Sequence, residues 1–157
     1  MASAISLEGQ SIDVPETSVL ALAGPRLEGL RQLARDGAIV LRIRGDCMAP
    51  RLCDGADVTV RAAAHYWPGD ILACAPAGHP VAVHRLLGWR PQRWTRPWRD
   101  WRVWTQGDRT TMPDAPLAAD RVLGKVEIAV GWRDRARAVR AFVHWLAVRG
   151  RERVARA

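Results

Sequence analysis

Lysine is all but absent from the chain. Of its 24 basic residues, 23 are arginine, and Lys125 stands alone. Cysteine is scarce as well, with only Cys47, Cys53 and Cys74. So few thiols in an odd number exclude a disulfide framework. No apolar run approaches the roughly 20 residues needed to cross a bilayer. The first 20 residues lack the basic start and apolar centre of a secretory signal. Together these absences lead to the expectation of a cytoplasmic protein in a reducing compartment.

What is present suits a globular fold. The chain has 157 residues, of which 48% are hydrophobic and 25% charged. That is the length of one ordinary domain, and it can bury a core without metal or cross-links. The formal charge is +8. Such a charge usually points to nucleic acid or an anionic membrane. Biased codon usage also yields an arginine excess in an alanine-rich chain, so the charge alone carries little weight.

Hydrophobic spacing divides the chain into three parts. Residues 1–37 read as an extended arm followed by a helix over 25–35, with Pro25 at its start and Gly37 past its end. Residues 38–130 read as short strands separated by turns, at 38–41, 57–61, 71–75, 81–87, 101–105 and 121–130, with Gly124 a candidate bulge. Regular turns of this kind indicate a mainly β sandwich or barrel. Residues 131–157 read as a basic amphipathic helix. Its apolar stripe is expected on its own domain, with peripheral contact to an anionic membrane as a further role.

Residues 88–101 interleave Arg90, Arg93, Arg96 and Arg99 with Trp89, Trp94, Trp98 and Trp101. Such a segment can stack on bases. The preferred reading is a hairpin tip whose rings cover the barrel edge.

The chemistry centres on Gly45-Asp46-Cys47-Met48-Ala49-Pro50. Gly45 frees the backbone and Pro50 stiffens it, so Cys47 is expected at a fixed bend after a strand. His84 falls in an apolar alternating strand, where an imidazole needs a partner. Asp108 and Asp114 follow the next strand and are both candidates to hold it. A Cys–His–Asp set is thus within reach. From spacing alone it is a weak signal, and for the Cys47 stretch by itself a small buried core thiol is the favoured reading.

The run Gly45 to Leu52 resembles the nucleophile box of the LexA-like and type I signal peptidase superfamily. Further boxes follow in that family's order. Pro68-Gly69-Asp70-Ile71-Leu72 resembles its Gly-Asp-Ile-Val segment. Val83-His84-Arg85-Leu86 resembles the strand carrying the general base. Gln106-Gly107-Asp108 with Asp114, then Val122 to Val126, resembles the acidic box and closing strand. The likeness covers about residues 38–130. It implies a barrel-like β fold with a short N-terminal helix and a C-terminal amphipathic helix. It also implies cleavage of an extended peptide or precursor protein, such as leader removal. Catalysis would fall to Cys47, His84, Asp108 and Asp114, and substrate contact to Gly45, Asp46, Met48 and Pro50. No cofactor or metal is implied.

Three departures mark this chain. Cys47 stands where the family has serine. His84 takes the base position, as in archaeal and endoplasmic-reticulum signal peptidases, where bacterial ones use lysine. Ala56 stands where aspartate is usual. A thiol ionises more readily than a hydroxyl, so a partly ionised Cys47 beside His84 is expected. Backbone N–H groups at the bend, including that of Cys47, would stabilise an oxyanion. Alternative readings are a non-catalytic peptide-binding module on the same fold and an Arg/Trp nucleic-acid-binding protein. A metal site from Cys47, Cys53, Cys74 and His84 lacks paired Cys-x-x-Cys spacing and ranks lowest.

Overall fold

Alternating apolar residues build one antiparallel sheet. The computed structural model describes residues 5–7, 10–12, 24–91 and 101–154. The strands are β1 (Ile5–Leu7), β2 (Gln10–Ile12), β3 (Ile39–Arg42), β4 (Asp57–Arg61), β5 (Ile71–Cys74), β6 (Ala82–Pro91), β7 (Trp101–Gln106), β8 (Leu117–Ala118) and β9 (Val122–Val126). Helix α1 (Pro25–Asp36) precedes β3, and α2 (Trp132–Val154) follows β9. The order across the sheet is β2-β1-β3-β4-β9-β5-β6-β7-β8. Strands β3 to β9 form a curled half-barrel, which is the barrel-like β architecture expected from the sequence.

Period-two alternation places Ile39, Leu41, Val58 and Val60 on the inner face of β3 and β4, all buried. Ile71, Ala73, Val83, Leu123 and Val126 complete this core with Met48 and Leu52. Helix α1 starts at Pro25 and stops at Gly37. It rests Leu27 and Ala34 on the same core. A second cluster, around Leu72, Cys74, Leu86 and Val103, takes the partly buried Trp89 and Trp101 at the ends of the β6–β7 hairpin. Residues 92–100, with Trp94 and Trp98, lie outside the described residues.

Helix α2 packs Ala138, Phe142 and Trp145 against Leu87 and Trp104. The Trp104 ring centroid lies 5.6 Å from that of Phe142 and 5.5 Å from that of Trp145. A Cβ at Gly88 would meet the Phe142 ring at 2.5 Å, so the helix approaches β6 through the missing side chain.

The structure departs from the spacing argument in three places. The arm contains a hairpin, with β1 pairing β2 on one side and β3 on the other. Edge pairing of this kind uses backbone bonds and leaves little hydrophobic pattern. Strand β6 runs on to Pro91, which is tolerated at a strand end. The closing strand stops at Val126, four residues early. Gly124 has a different task from the one expected. The ladder shifts where Ala73 faces Gly124 and Cys74 faces Val122, so the extra residue is Leu123. Gly124 itself admits the Arg61 carbonyl, which a Cβ would meet at 2.6 Å.

Two glycine substitutions should therefore act in opposite directions. Gly124→Ala forces a backbone shift and should lower stability by about 1–3 kcal/mol. Gly29→Ala, inside α1 with open space around it, should raise stability by about 0.5–1 kcal/mol. Urea unfolding midpoints of the two variants should move apart from the parent accordingly.

Candidate active site

Cys47 sits in a run of turns after β3. The turn is closed by backbone bonds from Ala49 N–H to the Asp46 carbonyl at 3.0 Å and from Leu52 N–H to the Met48 carbonyl at 3.0 Å. Gly45 adopts φ 85, the left-handed region that favours glycine. Its N–H donates to Asp54 Oδ1 at 2.7 Å. Met48 is fully buried and anchors the turn in the core. The bend is thus rigid on both sides of the thiol.

His84 reaches the site from β6, opposite Leu72 of β5. Its Nδ1 lies 2.6 Å from Asp114 Oδ2, and Thr105 Oγ1 donates to the same oxygen at 2.7 Å. The backbone N–H of Asp114 donates to the Thr105 carbonyl at 2.8 Å, which docks the loop after β7 on its own strand. Burial opposes ionisation of Asp114, but the bonds from His84 and Thr105 outweigh it and hold the carboxyl below its ordinary range. An acceptor fixed on Nδ1 leaves Nε2 as the nitrogen able to take a proton.

Cys47, His84 and Asp114 line one cavity of about 580 Å³. Its walls are mainly apolar, with Leu41, Ile43, Val81, Val83 and Leu117 among them. Cys74 and Thr105 complete the inner end. A second cavity of about 620 Å³ lies elsewhere, between Arg31, Arg35, His65, Tyr66, Trp89 and Trp101. It contains no thiol and none of the Cys47–His84–Asp114 set.

Asp108 is not the partner of His84. Successive residues of a strand point to opposite faces, so Arg85 leaves the other side of β6. It grips Asp108 through two contacts of 2.6 Å and also donates to the Gly69 carbonyl at 2.9 Å. The same loop clasps the Cys47 turn, with Arg109 N–H donating to the Cys47 carbonyl at 2.9 Å. A Cβ at Gly107 would lie 3.0 Å from that carbonyl oxygen and 3.1 Å from Cys47 Cβ. Asp108 and Gly107 therefore position the thiol.

The residues expected to contact substrate fall in different places. Gly45 lines the cavity, but Asp46, Met48 and Pro50 do not. Met48 is removed by its burial, while Asp46 and Pro50 are exposed outside the cavity wall. The metal reading also loses its geometry. Cys53 is exposed and turned towards the Pro50 carbonyl, outside the cavity. Lys125 sits on β9, 4.0 Å from the buried Asp70. His79 lines the cavity from the β5–β6 loop but is exposed there.

The thiol does not follow the ion-pair expectation. Burial pushes Cys47 up from its ordinary value, and the charges of Asp114 and Asp108 act in the same direction. The backbone N–H groups of Cys47 and Met48 pull against this without prevailing. Burial and the two charges favour the protonated thiol over the thiolate. Cys74, fully buried, is pushed up to about 12.

Sequence reasoning missed Thr105, Arg51 and Asp134. Thr105 carried a signal, because a polar residue in the buried run Val103-Trp104-Thr105 must find a partner. Asp134 carried none. It lies on α2 and meets Arg51 of the Cys47 turn at 2.8 Å, across 83 positions of sequence. No family model matches the chain, and no curated protein matches it either.

Two measurements follow from these shifts. The Asp114 carboxyl is depressed in the fold, so its stabilising contribution is present above the unfolded value. It is lost as the pH falls through the folded one, in the window below about pH 4. Asp114→Asn should flatten this acid limb in unfolding curves taken at falling pH, while the parent stays steep. Alkylation mapped by mass spectrometry at neutral pH should modify Cys53 first, Cys47 slowly and Cys74 only on unfolding. Rapid modification of Cys47 at neutral pH would contradict the raised thiol.

Proposed function

We propose that the chain is an endopeptidase of the signal peptidase and LexA-like type, with a cysteine nucleophile. The observation behind this reading is the 2.6 Å contact of His84 Nδ1 with Asp114, in the wall of a cavity that Cys47 shares. Cys47 is the nucleophile, His84 the base, and Asp114 the residue that orients the ring. A reducing cytoplasm suits a nucleophile that must stay a free thiol. The substrate class is an extended peptide or precursor, such as a leader-bearing one.

The raised thiol shapes the mechanism. A preformed thiolate–imidazolium pair is not the resting state, so His84 acts as a general base, as it would towards serine. As Sγ attacks the peptide carbonyl carbon, His84 Nε2 accepts the thiol proton. Asp114 stabilises the imidazolium and keeps the tautomer. The oxyanion meets the backbone N–H of Cys47 at the bend. Collapse expels the amine, which takes the proton from His84 and leaves a thioester. Water attacks the thioester while His84 accepts its proton; collapse breaks the C–S bond, Sγ takes that proton back as the thiol, and the acid departs.

One observation favours a second reading. A thiol pushed upwards by burial also suits a pocket that holds a peptide without cutting it. Incubation with a mixed library of unstructured peptides, followed by mass spectrometry, separates the two. Cleavage should occur at a reproducible sequence and vanish in Cys47→Ala. His84→Ala should reduce the rate by about 10²–10⁴-fold. Cys47→Ser should keep measurable but slower cleavage, because a general base can serve either nucleophile while the hydroxyl is the weaker acid. Binding without cleavage, or cleavage that survives Cys47→Ala, would overturn the peptidase reading.

A further inference from the structure

Helix α2 has more apolar surface than its own domain uses. Its inner stripe is occupied, with Ala138 buried and Phe142 and Trp145 packed on Leu87 and Trp104. A second stripe lies on the outside. At about 100° per residue, Trp132, Ala136, Val139, Val143 and Ala147 fall within one sector. All five are exposed. Trp132 is 74% exposed, Val143 58% and Val139 46%. The stripe runs for about 22 Å at the rise of an α-helix.

The flank beside it is arginine-rich, with His144 the one other residue in that sector. Arg133, Arg137, Arg140 and Arg151 occupy the adjoining sector, all exposed. No acidic residue occupies any position of that sector. Asp134 is committed elsewhere, bonded to Arg51 at 2.8 Å. The Arg133 guanidinium lies 5.6 Å from the Trp132 ring centroid.

We infer that the outer face of α2 docks the protein on an anionic lipid surface. The two rows ask for different things from a partner. Valine and tryptophan gain by leaving water, and the arginines gain from negative charge. A lipid headgroup layer supplies both at the right depth. Tryptophan suits that interface because its ring is apolar and its N–H polar. A nucleic acid would answer the arginines but leave the valine stripe in water. A second copy packed through the same helix face would cover the stripe, but the flank it brings beside that stripe is basic too. The helix lies along the surface, because none of the described helices is long and apolar enough to cross it.

The test uses the full chain and lipid vesicles, and it does not depend on any peptidase activity. The protein should co-sediment with vesicles of phosphatidylcholine and phosphatidylglycerol, and not with phosphatidylcholine alone. Added salt should weaken the binding. Arg137→Glu with Arg140→Glu should lower the partition coefficient by at least about tenfold. Val139→Ser with Val143→Ser should lower it by a similar factor. Brominated lipid should quench tryptophan emission of the parent more than that of Trp132→Phe. All substituted residues are exposed, and circular dichroism checks that the variants stay folded. Should the valine pair unfold, the arginine pair and the quenching still decide. No binding to anionic vesicles would overturn the inference, as would binding that neither pair changes. Loss in the arginine pair alone would mark a general polyanion surface and overturn it too. A dimer abolished by Val143→Ser would assign the face to self-association.

Discussion

The candidate site depends on one strand holding one loop from both sides. His84 and Arg85 are neighbours on β6, so they point in opposite directions. Each takes an aspartate from the stretch between β7 and β8, Asp114 on the cavity side and Asp108 on the other. The loop therefore straddles the strand and has little freedom to slide. From this position it reaches the Cys47 turn through the Arg109 amide and the bare backbone of Gly107. The Arg85–Asp108 pair is well shielded, with side chains 7% and 15% exposed. A pair of that kind adds little net stability over an apolar replacement, yet losing one partner costs about 3–5 kcal/mol. Its value here is registration, since it fixes where the loop that carries Asp114 can lie.

That geometry makes Asp114 both helpful and costly. Its negative charge keeps the imidazole in the tautomer that can accept a proton. The same charge, with burial, discourages ionisation of the thiol. An oxygen nucleophile would not feel the second effect, because a hydroxyl is neutral at rest in either case. A thiol that burial and charge keep protonated would depend on its base as a serine does, unlike the thiolate of an ion-paired cysteine protease. Arginine cannot relieve the thiol from the far side of β6, because Arg85 is spent on Asp108 and the Gly69 carbonyl.

Legibility in the sequence followed physical range. Strands whose alternation faces a core declared themselves, and 57–61 was read to the residue because Val58 and Val60 are both buried. Helix α1 was marked by Pro25 and Gly37. The β1–β2 hairpin was not legible, since edge strands bond through backbone and need no pattern. At the site, the bend at Cys47 and the need of His84 for a partner could be read locally. The choice between Asp108 and Asp114 could not. It turns on which face of β6 each loop residue reaches, and a sequence does not record where a loop crosses a strand. Met48 was misassigned for the opposite reason. Its place beside the thiol suggested substrate contact, while the turn geometry sends adjacent side chains to opposite sides, one to the cavity and one to the core.

Helix α2 joins these local facts to the molecule as a whole. Its first turn belongs to the site's scaffold. Asp134 holds Arg51 of the Cys47 turn, and Arg135 reaches the buried Asp70 at 3.0 Å and the Pro68 carbonyl at 3.1 Å. Gly69 is pressed so closely by this turn that a Cβ there would meet the Arg135 backbone at 2.9 Å. The next turns bury an aromatic cluster on β6 and β7, the strands that carry His84 and Thr105. The helix is thus fixed to the site at its start and to the sheet along its inner face. A surface held by its outer face would hold the whole domain in one orientation. Because packed elements resist gradual deformation, such docking would orient the cavity without altering the His84–Asp114 pair.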